Sequence, residues 1–402
     1  MMNILRYFKL EYLLLSLIIY VSDDTVIFGT NIDLKYIYFK YVFTICAFFF
    51  LFVKNKTFVK TRQFNYCVAM CFFVVLSSIF NDDLRLGLIY KCIVLLLSCV
   101  YASKIDFNRF AETFVGFMYV VAFVSVICTL ILMVHPAIFS FATGLENTAN
   151  TPFYNLFIYV APTITESVRN YGIFREPGVY QMYLIICLVL MLYYTPKFEL
   201  KEFVVVSMAL FLTFSTTGYI AYVGVATLLV IKRKGEGISK KQRRYVLMLL
   251  ALCMLLIVTQ TNLFSTDGMV FDKFSNPGRH TTIARMSSLT TNVKIWLQYP
   301  IFGAGLQNVN DMFETITLRD YGFASPHNTN TFLCELATFG IFYFILFCIG
   351  IVRFSRLFGC SLFEHILLLA LLFVLSIGEK LTFSPFFYIM IFYGYRYNQR
   401  LN

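Results

Sequence analysis

Charge is scarce in this chain of 402 residues: Asp, Glu, Lys and Arg make up only 14% of it, whereas a soluble domain carries about 25%. That scarcity excludes a soluble enzyme, a disordered chain and a nucleic-acid module, although the formal charge of +11 points superficially to a polyanion partner. Metal and nucleotide signatures are missing too. There is no C-x-x-C, H-E-x-x-H, nucleotide-binding glycine loop or EF-hand pattern, and the four histidines (135, 280, 327 and 365) lie far apart. No metal site and no cofactor are therefore expected. None of the eleven cysteines falls in an expected outer loop, so a disulfide framework is excluded and they read as small core hydrophobes.

What is present is apolar surface. Apolar residues make up 59% of the chain and aromatics 18%, with a mean hydropathy of +0.73. A membrane-crossing helix needs about 20 mostly apolar residues, and twelve runs qualify: near 4–21, 36–53, 65–80, 86–102, 113–134, 178–195, 200–216, 218–232, 245–260, 329–352, 362–378 and 383–395. The first has no small-residue cleavage site and reads as a retained span. The seventh and eighth are separated at Thr216-Thr217-Gly218, where glycine permits a tight reversal. The chain thus divides into helices 1–5 (1–134), a first outer loop (135–177), helices 6–9 (178–260), a larger outer loop (261–328) and helices 10–12 (329–402). The expected fold is an all-α polytopic membrane protein of about twelve transmembrane helices with two large loops on one face.

The placement of charge orients these spans. With twelve crossings both termini share one side, which carries 21 of the 33 Lys and Arg against seven acidic residues, a net +14; the other side is left at −3. By the positive-inside rule the termini are cytoplasmic. The basic excess is therefore a topology signal, and the partner it implies is the lipid bilayer, with no nucleic acid.

Long ordered loops are usually functional, so the two outer loops are where chemistry is expected. In the second, Ile283, Met286, Leu289, Val293 and Trp296 recur at helical spacing, the pattern of an amphipathic helix along the membrane surface, with Arg285 and Lys294 flanking the stripe. The first loop ends in Arg169-Asn-Tyr-Gly172-Ile-Phe-Arg175-Glu176-Pro177-Gly178. Proline favours the first helical turn, which puts Arg175 and Glu176 at the N-terminus of an inward-running span. The second loop ends in Ser325-Pro326-His327-Asn328, with Ser325 placed to cap the tenth span. Helix N-termini and arginine forks suit phosphate oxygens, so a phosphate at the outer lipid interface is the expected ligand. Structural pairing of Arg169 or Arg175 with Glu166 or Glu176, and a capping role for His327, are the alternatives.

These strings, together with Ser215-Thr-Thr-Gly218, Tyr299-Pro300-Ile-Phe-Gly303-x-Gly305, and Pro326-His327-Asn328 followed by Glu335 and Gly340, resemble the O-antigen polymerase and O-antigen ligase superfamily over about residues 165–350. The resemblance implies a GT-C-like architecture and a metal-independent glycosyltransferase. Its donor would be an undecaprenyl-diphosphate-linked oligosaccharide, and it would work at the periplasmic face of the bacterial inner membrane. In a polymerase the growing glycan moves onto a new lipid-linked repeat unit; in a ligase it moves onto lipid A core. Carried onto this chain, the family pattern makes Arg169 and Arg175 diphosphate ligands with Asn328 beside them, and Arg285 or Arg279 a further cation. His327 becomes the acceptor-side base or a diphosphate ligand, with Glu176 as the rival base. A chain-length regulator is an implied partner.

Ligases often carry an arginine beside the serine in the turn after the seventh span, whereas this chain has Thr216-Thr217; that favours the polymerase. A lipid-linked oligosaccharide flippase is the alternative from another class. Transporters place ionisable residues near the midplane and repeat their halves, while Lys40, Lys91, Glu335 and Glu364 fall mostly near span ends and no repeat is evident.

Overall fold

The computed structural model describes residues 10–29, 34–54, 62–83, 86–146, 152–163, 168–194, 199–232, 248, 280–322, 328–358 and 361–396. The protein is a helical membrane protein. Five helices are long and apolar enough to cross a bilayer: Arg62–Phe80, Leu86–Lys104, Phe107–Val134, Pro177–Tyr194 and Thr331–Arg356. Shorter helices occupy most of the other apolar runs, and only the run at 245–260 lies, apart from Met248, outside the described residues. The chain forms two compact units, one of Met1–Lys60, Leu97–Val225 and Phe383–Ile389, the other of Thr61–Leu96, Ala226–Thr382 and Met390–Asn402.

In the first unit the helices α1 (Leu10–Tyr20), α2 (Leu34–Lys54), α5 (Phe107–Val134), α6 (Pro177–Tyr194) and α7 (Leu200–Phe211) pack together. A helix apolar all round belongs in a core, and α6 is that helix: 83% of its apolar window is buried, against 33% for α3 (Arg62–Phe80). It packs on α5 and α7, and α1 packs on α2 and α5.

Between α5 and α6 lies a feature that the all-α expectation omits, an antiparallel meander of β1 (Thr143–Glu146), β2 (Pro152–Asn155) and β3 (Val160–Pro162). Thr143 pairs with Asn155 and Phe153 with Pro162. Strands of three or four residues are too short to print a period of two on the sequence. Leu145, Phe153 and Val160 pack with Val26, Ile27 and Phe28 from the segment after α1. Tyr20 donates to the carbonyl of Phe157 at 2.8 Å and stacks on its ring.

The 200–232 region is two helices, as expected, but the break comes earlier than Thr216-Thr217-Gly218. It spans residues 212–215, with Phe214 at φ 47°, and α8 runs Thr216–Lys232. Gly218 is inside α8, where its missing Cβ admits Gln181; a Cβ there would sit 2.4 Å from that side-chain oxygen.

In the second unit α11 (Thr331–Arg356) packs against α3, α9 (His280–Gln298) and α12 (Leu362–Ile377), and α9 packs on α10 (Asn308–Tyr321). α11 is broken at Gly340 (φ 77°, ψ −176°), a backbone conformation essentially confined to glycine. The string Tyr299-Pro300-Ile301-Phe302-Gly303-Ala304-Gly305 fills the break. Ala304 and Gly305 donate N–H bonds to the carbonyls of Ala337 (2.8 Å) and Thr338 (3.1 Å), and Ile341 donates to Pro300 (3.1 Å). Ser77 and Asn81 complete the junction on Thr338 and Gly303. Cβ atoms at Gly303 and Gly340 would lie 2.3 and 2.1 Å from the opposing backbone.

Gly340→Ala is accordingly expected to destabilise the protein by about 3 kcal/mol or more, read as a lowered thermal midpoint in detergent. Gly378→Ala, at φ −79° with its nearest neighbour 4.0 Å from a built Cβ, is expected to leave the midpoint unchanged. Equal midpoints for the two variants would contradict the docked-loop account.

Candidate functional site

The first group of candidate residues lies on the segment entering α6, in the first unit. The helix opens on Pro177, at the first-turn position that proline favours, and the carbonyl of Glu176 accepts the N–H of Tyr180 at 3.1 Å. Upstream, the segment is held from three directions. Asn170 donates its backbone N–H to Leu212 at 2.8 Å, and its buried amide reaches Ser125 and the carbonyl of Ala209. Gly172 accepts from Val160 of β3 at 2.7 Å. Thr25 bridges Phe174, Val26 donates to Ile173, and Arg175 donates its N–H to the carbonyl of Asp24 at 2.9 Å.

Arg169 and Arg175 are half-buried and Glu176 is exposed. The guanidinium of Arg169 is committed in part to the helix break, donating from Nε to Thr213 at 2.9 Å and from Nη2 to Phe214 at 3.1 Å. It serves carbonyls that the end of α7 leaves without helical partners. Tyr171 records the local field: burial pushes its phenol up, Arg169 pulls it down and Glu176 raises it again. Asp24, which sequence reasoning missed, is buried beside Arg175. Its Oδ2 accepts from Tyr183 at 2.6 Å and from Ser384. Burial raises the Asp24 carboxyl above its usual range, and the charge of Arg175 opposes that shift. One acidic residue in a short polar turn carries no periodic signal.

The second group lies in the second unit. α9 is a helix, as the spacing predicts, but the buried face is not the apolar stripe. Ser287, Ser288, Thr291, Asn292 and Ile295 are buried, while Leu289, Val293 and Trp296 are half-buried. Asn292 and Asn328 form a reciprocal amide pair, at 3.0 and 2.8 Å. Thr329 bonds Ser288 through its N–H and hydroxyl, and Asn328 Oδ1 also accepts from the N–H of Asn330. The spacing 288, 291, 292 is a helical stripe in its own right, continued by Ile295, and its polar part could have been found by scanning polar residues for helical periodicity.

The expected cap of the tenth span is also corrected. α11 starts at Thr331 and is capped by Asn330, whose extended backbone lets its side chain accept from the N–H of Leu333 at 2.9 Å. Ser325, Pro326 and His327 lie outside the described residues, as does Arg279, and of Arg285 only the helical backbone is described. Lys294, which flanks the apolar stripe, pairs with Asp320 at 2.6 Å. Arg319 and Lys294 together hold the Asp320 carboxyl down at about 2.

One turn into α11, Glu335 forms a fully buried ion pair with Lys91 at 3.1 Å. Lys91 donates also to the carbonyl of Thr382 at 2.6 Å and lies 5.1 Å from the centre of the Phe339 ring. Thr331 adds to the same junction, donating to the carbonyl of Glu379 and accepting the N–H of Leu381 at 3.1 Å. The segment at 379–382 is thereby fastened to the N-terminal end of α11.

Residues 203–348 match the family model described as O-Antigen ligase. The matched stretch includes the 212–215 break, the 299–305 string, Asn328, Glu335 and Gly340, and begins after Arg169, Arg175 and Glu176. No curated protein matches the chain.

Removing one member of a buried ion pair strands the other, at a cost of about 3–5 kcal/mol. Lys91→Met and Glu335→Gln are each expected to lose that much stability, and Lys91→Met/Glu335→Leu to regain most of it, by chemical denaturation in detergent. A double variant as unstable as the worse single would refute the ion-pair account.

Proposed function

We infer that this chain, a member of the O-antigen polymerase and ligase superfamily by its match over residues 203–348, is an O-antigen polymerase of the bacterial inner membrane. It transfers a growing glycan from undecaprenyl diphosphate onto a new lipid-linked repeat unit at the periplasmic face. The observation that carries this reading is the segment of residues 169–178, which holds Arg175 at the N-terminus of the most buried of the five long apolar helices. A diphosphate needs such a place: a cation held at a positive dipole end.

In the proposed reaction the acceptor hydroxyl oxygen attacks the anomeric carbon of the donor, and the bond from that carbon to the diphosphate oxygen breaks with its electron pair leaving on the diphosphate. Charge grows on the leaving group, so preorganised cations lower the barrier. Arg175 is the principal diphosphate ligand. Arg169 contributes its charge while also bracing the 212–215 break, and Arg285 or Arg279 supplies a further cation. His327 takes the acceptor proton, a task that an imidazole of pKa ~6.5 suits, with Glu176 as the rival base. Asn328, held by Asn292, fixes the backbone that follows His327. The absence of an arginine at Thr216-Thr217 favours polymerase over ligase.

Deleting the gene in its host should leave single repeat units on lipid A core. Loss of all attached glycan with accumulation of lipid-linked polymer would identify a ligase instead, and an unaltered polysaccharide profile would refute both. Arg175→Ala and His327→Ala should each reduce elongation by about 100-fold or more with normal membrane insertion, whereas full activity in both would remove the assigned site. A chelator should leave the purified protein active; loss of activity would overturn the metal-free mechanism.

A further inference from the structure

Two exposed apolar stripes run along helices of the first unit and end at the meander before α6. On α2 the exposed residues are Tyr38, Val42, Ile45 and Phe49; on α5 they are Val120, Phe123, Ile127, Leu130 and Val134. Both spacings are helical, and in a membrane protein continuous exposed apolar surface of this kind faces lipid. The stripe of α5 does not stop with the helix. Val134 is 87% exposed, and beyond it the turn at Pro136–Phe139 and the residues that follow expose Ile138 and Phe141, the latter at 76%. Phe157 and Ile158 are exposed at the tip of the β2–β3 hairpin. The ring of Phe28 links that tip to the start of α2, with its centre 6.5 Å from Phe157 and 5.9 Å from Tyr36.

The tip is built against backbone preference. Phe157 has φ 65°, in the left-handed region where a bulky side chain is an outlier and where hairpin tips ordinarily take glycine or asparagine. Its N–H donates to Asn155 Oδ1 at 2.8 Å, its carbonyl accepts the Tyr20 hydroxyl at 2.8 Å, and its ring stacks on Tyr20. A phenyl ring fixed in this way and left 56% exposed is favourable only if something other than water covers it. Composition identifies the cover. Between Val134 and Thr163 the sequence holds one Glu, one His and no Lys, Arg or Asp, so the segment has no cation for a phosphate and little charge for a protein partner. The exposed Phe and Ile side chains offer no hydrogen bond to a sugar hydroxyl. Acyl chains are the partner that asks for neither.

We propose that the meander is an interfacial anchor: Ile138, Phe141, Phe157 and Ile158 enter the acyl region of the outer leaflet and thereby set the depth at which the segment 169–175 meets the membrane surface. The sheet joins the two. Leu145, Phe153 and Val160 pack on Val26, Ile27 and Phe28, whereas Tyr159 and Ala161 pack on Leu132 of α5 and on Phe139. Val160 also donates its N–H to the carbonyl of Gly172 at 2.7 Å. Anchoring is a property of the meander itself, and its consequence for catalysis rests on the reading of Arg169 and Arg175 as diphosphate ligands. A lipid diphosphate presents its phosphates at the height of the headgroups, and cations held at another height miss them.

The test uses the full-length protein in lipid nanodiscs. The chain has one tryptophan, Trp296, so in a Trp296→Phe background Phe141→Trp and Phe157→Trp each supply a single fluorophore. Both are expected to lose emission in phosphatidylcholine and phosphatidylglycerol brominated on the acyl chains, and to keep it when iodide is added to the water. Quenching by iodide without quenching by bromine places the rings in water and overturns the anchor; if a lipid-diphosphate-linked repeat unit then shields them, the tip is a sugar platform instead. Shielding from both quenchers overturns it too, with a second copy of this chain as the occupant where nanodiscs holding a single copy relieve the shielding. Bromine quenching at one position alone overturns the shared anchor. Should Trp296→Phe not yield folded protein, the same substitutions are read as differences from wild-type emission.

Phe141→Glu/Ile158→Glu tests the depth that the anchor sets. It is expected to lower kcat/KM for the lipid-diphosphate-linked donor by about tenfold with an unchanged thermal midpoint in detergent, since both side chains are exposed. A wild-type kcat/KM, or a loss matched by a lowered midpoint, overturns the depth role. If Arg175→Ala is fully active, the diphosphate reading falls and the depth role with it, while the quenching result decides the anchor independently.

Discussion

A helix that ends among apolar side chains leaves backbone carbonyls and N–H groups where no water can reach them, and each such group must find a partner within the protein. This constraint accounts for two irregular places in the chain, the first of them beside Arg169. After α7 the chain leaves helical geometry at residues 212–215, and Arg169 and Asn170 supply donors to the carbonyls of Leu212, Thr213 and Phe214. At Gly340 the break in α11 is met by the loop at 299–305, which supplies donors to Ala337 and Thr338 and an acceptor to Ile341.

The motifs that carry the resemblance therefore come in structural pairs. The arginine string before α6 is the partner of the break at 212–215, which ends at the Ser215 of Ser215-Thr-Thr-Gly218, and Tyr299-Pro-Ile-Phe-Gly303 is the partner of the turn at Gly340. A glycine at 303 or 340 is required because two backbones approach within van der Waals contact there. A guanidinium at 169 is required because a broken helix end needs more than one donor. Arg169, proposed to bind substrate, is thus fixed by the helix break that it closes, which supplies rigidity without a regular element at that position.

Charge follows the same logic of enclosure. With so few ionisable groups in the chain, the buried ones are informative. Lys91 and Glu335 satisfy each other and tie down the segment before the last helix. Half-buried Lys40 pairs with Asp23, and buried Glu364 closes a capping box with Ser361. Asp24 differs, because its hydrogen bonds go to hydroxyls.

By itself the sequence determined the helical membrane class, the positions of nearly all the described helices, the two helices within 200–232 and the start of α6 at Pro177, because long apolar runs, proline at a first turn and the side-preference of basic residues are local signals. The tertiary structure alone decided the small sheet before α6, the polar buried face of α9, the cap at Asn330, the pairing of Lys91 with Glu335 and the place of Asp24. Each of these depends on partners distant in sequence, as with Asp24 and Ser384 or Asn292 and Asn328. Burial of a polar group becomes favourable only when such a partner arrives, and no local pattern of hydropathy records that event.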